Sequence, residues 1–504
     1  MRRTGWLLAI CAACAGAPIG DATDTDGVRD TAPEIAPATP CPADLPISAS
    51  TTTGCVQGAT YAHGEAFLGV PYAEAPVGER RFAPPTPKAP WESPWIADHL
   101  GSPCIQSTGS ADGALEAGEG DEDCLFLNVW RPAGTRSGDR RPILFFSHGG
   151  GHVNGSGGQA SLADDPRLGG EAVVVTHNYR LGPLGFLAHP ALADDDGAVG
   201  NLGLRDTLTA LRWVHDNAEA LGGDPSQLLI FGESAGGLTT CALYMMPAAD
   251  GLFSAALVQS APCDSVSRPL RGDATDAGLD AGEDQAARFV AAVGCDGAED
   301  VPACLRALPA ADLIAAIPAR EGATGDGESW DPVIDGVTLP TAFADAEAAG
   351  VMSTAPLYAG ANADEGTILA PSPSSDAAYR LLLRPFAVAA GTTVDALRAL
   401  WDPADYDGDP GRAFQAFYGD ALFLCPTRQM LARLAPGRPT RGYFWEHAHP
   451  LAGPLGAYHG VELGYVFGTL DDRLAPDEHA ISEDARAFWR AAATGGGGWP
   501  TSGW

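Results

Sequence analysis

Six short apolar runs recur along the chain with helix-like stretches between them, and this alternation restricts the fold more than any other feature. "PILFFSHGG" (142–150), "AVVVTHNYR" (172–180), "LLIFGES" (228–234), "AALVQSA" (255–261), "PLYAGAN" (356–362) and "GYFWEH" (442–447) each read as a strand. The runs are continuously apolar instead of alternating with polar residues, so both faces of each strand are expected to be covered. Stretches such as "LRDTLTALRWVHDNAEAL" (204–221) supply covering helices. Buried strands separated by helices predict an α/β fold with a mostly parallel central sheet, helices on both faces and large loop insertions. With 504 residues and 45% hydrophobic content, the chain has ample material for one large domain of this kind. Segment 262–330, carrying "GDATDAGLDAGED" and "EGATGDGES", reads as an insertion with solvated acidic loops.

The N-terminus has a different character. "MRRTGWLLAICAACAGAPIG" sets Arg2 and Arg3 before an apolar run from Trp6 to Ala13. That run is far shorter than the ~20 residues of a membrane-spanning helix and reads as an export signal. Ala12 and Ala13 before Cys14 resemble a bacterial lipobox, which gives a lipoprotein-type signal over residues 1–14 with Cys14 lipidated. Ordinary cleavage and release is the alternative. Residues 15–45, rich in Ala, Asp, Thr and Pro, read as a tether, and 46–504 as the folded domain. The protein is expected to be exported, as an outer-membrane or periplasmic lipoprotein or in secreted form, with membrane contact only through Cys14. A formal charge of −34 disfavours nucleic acid and anionic membrane surfaces as partners. Eleven cysteines suit an oxidising compartment. Without Cys11 and Cys14 nine remain, so pairing within the chain leaves at least one thiol over.

Chemistry enters at "IFGESAGGLT" (230–239), where Ser234 sits between Gly232 and Gly236. In a chain with 63 glycines a Gly-x-Ser-x-Gly match is cheap, so context decides its meaning. The strand-like "QLLIF" precedes it and the helix-like "AGGLTTCALYMM" follows. A serine on such a strained strand-to-helix turn is lifted to the C-terminal edge of the sheet. Its hydroxyl is a poor nucleophile without a base, a group to orient that base, and donors for the developing oxyanion. "FFSHGGGH" (145–152) places three glycines directly after a strand, where backbone N–H groups can turn toward a neighbouring site. For the base, a chain order of serine, acid, histidine leaves His447, His449, His459 and His479. His447 and His449 follow a strand directly, whereas His459 lies in a glycine-rich loop, and the residues alone do not separate them.

The chain resembles the type-B carboxylesterase/lipase family, which includes bacterial p-nitrobenzyl esterases, animal carboxylesterases and cholinesterases. The resemblance spans most of residues 55–504. It runs through "FLGVPYAEAPVGERRFAPP" (67–85), "EDCLFLNVWRP" (122–132), "HGGGHVNGSG" (148–157) and "NYRLGPLGFL" (178–187). It continues through "GNLGLRDTLTALRWVHDNAEALGGDPSQLLIFGESAGG" (200–237), "GANADEGT" (360–367) and "YHGVELGYVFG" (458–468). The resemblance implies an α/β-hydrolase fold with Ser234 as nucleophile, Glu365 as triad acid and His459 as base. It assigns the oxyanion N–H groups to Gly150, Gly151 and Ala235, and gives Glu233 a supporting electrostatic role. It implies disulfides Cys104–Cys124 and Cys295–Cys304, and structural ion pairs Arg81–Glu122 and Arg180–Asp206. A third bridge between Cys41 and Cys55 is open, while Cys241, Cys263 and Cys425 are expected to be buried thiols. Neither a metal nor an organic cofactor is implied.

The chain also departs from its relatives. Cholinesterases hold a quaternary ammonium with a tryptophan in the loop closed by the first disulfide, yet "IQSTGSADGALEAGEGDED" has no aromatic residue. Ile368 and Leu369 stand where those enzymes carry aromatics, so a cation–π site for choline is not expected. Trp330 and Glu328 replace an aromatic acyl pocket, and His152 reads as a pocket-wall residue. The expected activity is hydrolysis of a small-molecule carboxylic ester through an acyl-enzyme. Two other readings are a catalytically silent binding or adhesion protein and a lipase for longer acyl chains. The intact set of Ser234, Glu365, His459 and Gly149–Gly151 weighs against the first, and the absence of an obvious apolar lid against the second.

Overall fold

In a strand, successive side chains point to opposite faces. Leu144, Phe146, Val174, Leu229, Phe231 and Leu257 therefore join one buried cluster. Their neighbours Phe145, Val173, Val175, Leu228, Ile230 and Val258 join another. Each run is apolar throughout because each of its faces meets a core. The computed structural model describes residues 39–107, 118–164, 166–272, 280–316, 318 and 328–495. The signal, most of the tether and the tips of the acidic loops lie outside these residues.

Strands β1 (Ser48–Thr51), β2 (Gly54–Gln57) and β5 (Trp95–Ile96) form a small sheet. The main sheet holds β3 (Ala59–Tyr61), β4 (Gly64–Pro71), β6 (Phe126–Arg131), β7 (Arg141–Ser147) and β8 (Val173–His177). It continues with β9 (Gly223–Glu233), β10 (Ala255–Gln259), β11 (Leu357–Asn362) and β12 (Thr440–Trp445). Their order is β12-β11-β10-β9-β7-β8-β6-β4-β3. The six strands read from the apolar runs are the parallel block, β7 through β12. The strands β3, β4 and β6 close one edge in antiparallel fashion. Their sequences carried no helix-alternation signal because antiparallel neighbours need no crossover helix between them.

Helix Leu202–Asp216 buries Leu204, Leu208, Leu211 and Val214 against one face. Helix Glu478–Ala493 buries Phe488, Trp489 and Ala492 against the other. A third cluster, with Tyr379, Leu383, Phe414 and Phe417, stands apart among helices Asp376–Ala389, Val394–Leu400 and Pro410–Gly419. Among the described residues no helix is long and apolar enough to cross a membrane.

The disulfides Cys104–Cys124 and Cys295–Cys304 are present, and Cys41 pairs with Cys55. Cys241 and Cys263, expected as separate thiols, instead pair with their Cα atoms 5.3 Å apart. The reason is how closely the helix Ala235–Met245 approaches the segment after β10: a Cβ on Gly237 would lie 2.6 Å from that of Ala261. Cys425, expected buried, lies outside the four disulfides and is half-buried. Both ion pairs are formed, Arg81–Glu122 at 2.6 Å and Arg180–Asp206 at 2.7 Å.

Candidate active site

Strand β7 lies between β8 and β9, so the chain leaves it toward opposite sides in succession, and the crevice at such a switch point is where parallel sheets place ligands. Two loops meet there, one after β7 and one after β9. Ser234 follows β9 with φ 56° and ψ −125°, a conformation costly for a residue with a Cβ. Its N–H donates to Gln259 O at 3.0 Å, and its carbonyl accepts the first helical bond from Leu238. The flanking glycines are a steric necessity. A Cβ at Gly232 would lie 2.2 Å from Gly236 O, and one at Gly236 would lie 1.9 Å from Ser147 O.

The glycine loop presses on this turn. A Cβ on Gly149 would meet Glu233 Oε2 at 2.8 Å and Ser234 Cβ at 3.1 Å. Gly150 and Gly151 follow with φ of 100° and 60°. Among the described residues nothing in the chain accepts a hydrogen bond from the N–H groups of Gly150, Gly151 or Ala235. Behind the loop His148 stacks on Tyr179 with ring centroids 4.4 Å apart, and Nδ1 of His148 donates to Gly149 O at 2.8 Å. Burial lowers the pKa of His148 to about 4, so it stays neutral and serves as a support.

Glu365, just beyond β11, is fully buried. Its Oε1 accepts from Ser260 Oγ at 2.6 Å and from the N–H of Asn362 at 2.7 Å. Its Oε2 lies 2.6 Å from Nδ1 of His459. The carboxylate oxygen accepts this bond, so Nδ1 carries a proton and Nε2 is the ring nitrogen left free of Glu365. Nε2 lies 3.1 Å from Glu233 Oε1, although the two are not aligned for a hydrogen bond. Among the described residues no hydrogen bond joins Ser234 Oγ to His459. Catalytic contacts are often loose before substrate binds. Of the other histidine candidates, His447 is held 2.8 Å from Glu478, and His449 accepts from the N–H of Leu451.

Three buried carboxylates surround this imidazole. Burial would depress the basicity of His459, but the charges of Glu233 and Glu365 outweigh it and raise its pKa to about 9. Burial pushes Glu233 up to about 8, opposed by His459 and reinforced by Glu462 and Glu365. Glu462 is also raised by burial, with hydrogen bonds from Asn362 Nδ2 at 2.6 Å and Gln259 Nε2 at 2.9 Å working against the shift. Such a set stabilises positive charge on the imidazole.

Ser260, Asn362, Gln259 and Glu462 were not singled out from the sequence. Their signal was position: Gln259 and Asn362 end parallel strands, Ser260 follows one directly, and Glu462 lies three residues after His459. Trp330 and Glu328, expected at an acyl pocket, are placed otherwise. Trp330 is fully buried edge-on to Phe289, and Glu328 is paired with Arg288 at 2.8 Å. His152 is not a wall residue either, being wholly buried with Nε2 3.2 Å from Thr239 Oγ1.

A mostly parallel sheet with a serine on a strained strand-to-helix turn and a glycine loop at its switch point defines an α/β hydrolase. The Carboxylesterase family model matches residues 46–496. The chain is 33% identical over 431 residues to "Fumonisin B1 esterase" of Sphingopyxis macrogoltabida, covering 83% of this chain and 74% of that protein. It is 32% identical to "Para-nitrobenzyl esterase" of Bacillus subtilis (strain 168), covering 85% of each. A solved structure of "PNB ESTERASE" superposes with a TM-score of 0.73 at 30% identity, covering 90% of this chain and 93% of that one. The protein belongs to the carboxylesterase family and is a carboxylic ester hydrolase.

Proposed function

We propose that the protein hydrolyses small carboxylic esters through a covalent acyl-enzyme, with Ser234 as nucleophile, His459 as base and Glu365 as the acid that orients it. As substrate seats, Nε2 of His459 exchanges its approach to Glu233 for Ser234 Oγ and takes the hydroxyl proton as Oγ attacks the carbonyl carbon. The N–H groups of Gly150, Gly151 and Ala235 receive the oxyanion. His459 then protonates the departing alcohol, and water activated by the same imidazole releases the acid. Glu365 holds the imidazole and balances its charge throughout.

The observation that carries this reading is the fully buried Glu365 clamped 2.6 Å from His459 Nδ1, beside a serine in a strained turn. Relatives named for ester hydrolysis support it. Export belongs to the same proposal and is supported by the four disulfides. The test is labelling with a fluorophosphonate probe beside turnover of p-nitrophenyl butyrate. We expect one adduct, on Ser234, and a loss on the order of 10⁴-fold or more in Ser234→Ala. Absence of an adduct in the wild type would favour a silent binding protein, and a strong preference for the palmitate ester a lipase.

A further inference from the structure

We infer that His152 is a positioning residue that sets the spacing between the two halves of the oxyanion hole. The inference rests on the roles proposed for Gly150, Gly151 and Ala235. The glycine loop cannot anchor itself, because Gly149, Gly150 and Gly151 have no side chains. Its ends must hold it. At the near end His148 stacks on Tyr179, and at the far end the first side chain is that of His152. Between these ends the chain makes a tight turn, in which Gly150 O accepts from the N–H groups of Val153 and Asn154, both at 3.0 Å. His152 lies inside that turn with φ 57°, a left-handed conformation that residues with a Cβ seldom adopt. A rotation of His152 therefore turns the N–H groups of Gly150 and Gly151 with it.

What holds His152 leads to the second half. Its carbonyl accepts from the N–H of Gly182 at 2.7 Å, and its ring packs 4.8 Å from that of Phe186, centroid to centroid. Those two contacts would serve an apolar ring equally well. An imidazole with no exposed surface gives up its hydration, a cost that phenylalanine would not bear. The polar ring is explained by what its nitrogens face. Nε2 lies 3.2 Å from Oγ1 of Thr239, which is itself buried. Asp331 Oδ1 faces Nδ1 at 3.7 Å, beyond hydrogen-bonding distance, which favours the ring proton on that nitrogen and leaves Nε2 to accept from the threonine hydroxyl. Thr239 belongs to helix Ala235–Met245, whose first residue offers the third N–H proposed for the oxyanion. One side-chain hydrogen bond thus spans from the glycine loop to the helix that follows Ser234. Oxyanion donors act when aimed together at one point, so a bond that fixes their separation bears on the transition state more than on substrate binding.

The experiment measures kcat and KM on p-nitrophenyl butyrate, and inhibition by an alkyl trifluoromethyl ketone, which forms a hemiketal oxyanion on a reactive serine. His152→Phe keeps a ring and removes the bond, while Thr239→Val keeps the volume and removes the hydroxyl. Each should lower kcat and the affinity for the ketone about 10-fold, with KM within about twofold of wild type. The double variant His152→Phe/Thr239→Val should lose no more than the worse single variant, since both remove the same bond. His152→Gln, which can set an amide oxygen near Thr239, should recover about threefold or more of kcat over His152→Phe. Thr239→Val with kcat and ketone affinity within about twofold of wild type overturns the inference, as do losses that multiply in the double variant. Should His152→Phe fail to fold, Thr239→Val and His152→Gln still decide it. These failures leave wild-type turnover and its dependence on Ser234 intact. Wild type without ester turnover would overturn the proposed function and this inference together.

Discussion

The rim of the parallel sheet and the helical layer of residues 366–434 face each other across His459, and they are built to different tolerances. At the rim, backbone atoms approach so closely that Gly232, Gly236 and Gly149 have no space for a methyl group. The buried polar atoms of Glu365 are tied to Ser260, Asn362 and His459. The helical layer has its own small aromatic core, leaves Leu381 and Val388 exposed at 58% and 82%, and carries its charges on the surface. Close approach leaves no room for added atoms, whereas a layer packed by non-directional hydrophobic contacts tolerates a change of volume more readily. The comparison predicts that equal substitutions have unequal consequences on the two sides.

The largest contrast is between two glycines. Gly236→Ala drives a Cβ to 1.9 Å from Ser147 O, and backbone cannot yield there without moving both Ser234 and β7. Loss of soluble enzyme, or a fall in kcat/KM of at least about 10³-fold, is expected. Gly437→Ala, in the turn just after the last helix of that layer, meets only Leu434 O at 3.9 Å and should leave activity and melting temperature unchanged. Similar results for the two variants would break the comparison.

That asymmetry also explains what was legible in the sequence. Steric demand writes glycine into the chain, so the tight turn at Ser234 and the glycine loop packed against it could be read from Gly232, Gly236 and the run after β7. The six parallel strands were legible because burial on both faces leaves continuous apolar runs. The Cys241–Cys263 pairing was not legible, because it depends on how near a helix lies to a neighbouring strand end. Nor was the π-helical turn Asp420–Leu424, where Pro426 offers no N–H to the carbonyl four residues before it and the helix widens. The Cys241–Cys263 bridge closes a 22-residue separation and joins the helix that follows Ser234 to the segment after β10 that holds Ser260. The double variant Cys241→Ala/Cys263→Ala should lose about 3 kcal/mol, read as an earlier urea midpoint. An unchanged midpoint, with both thiols titrating in the native wild type, would show that the rim does not need this tie.

A smaller effect separates charge from packing within the rim. The base form of His459 is neutral, and the negative charge of Glu233 favours the protonated form. Glu233 and His459 titrate as a pair, so the acid limb of kcat/KM reports the proton they share. Removing the charge in Glu233→Gln lowers the affinity of the imidazole for a proton and moves the acid limb to lower pH by about one unit. Phe423, whose ring centroid lies 5.3 Å from that of His459, supplies the contrast, because Phe423→Ala removes bulk and no charge and should leave the limb in place. A limb that stays put in Glu233→Gln would mean that burial already keeps this carboxyl neutral in the resting enzyme.

The smallest effect belongs to the surface of the helical layer, where Arg398 bonds Asp376 at 2.6 Å with the two side chains 28% and 51% exposed. An exposed pair of long side chains gains little Coulomb energy in water and loses rotamer freedom in forming. Arg398→Ala should therefore cost less than about 1 kcal/mol and leave kcat and KM untouched. By contrast, the Arg180–Asp206 pair is almost wholly buried, with side chains 4% and 0% exposed, two bonds from the guanidinium and a third from the Arg180 N–H to Asp206. Removing its arginine strands a buried carboxylate and should cost about 3–5 kcal/mol. If urea unfolding ranks the two arginine variants alike, the difference in tolerance between rim and layer is confined to backbone contacts and does not extend to charge.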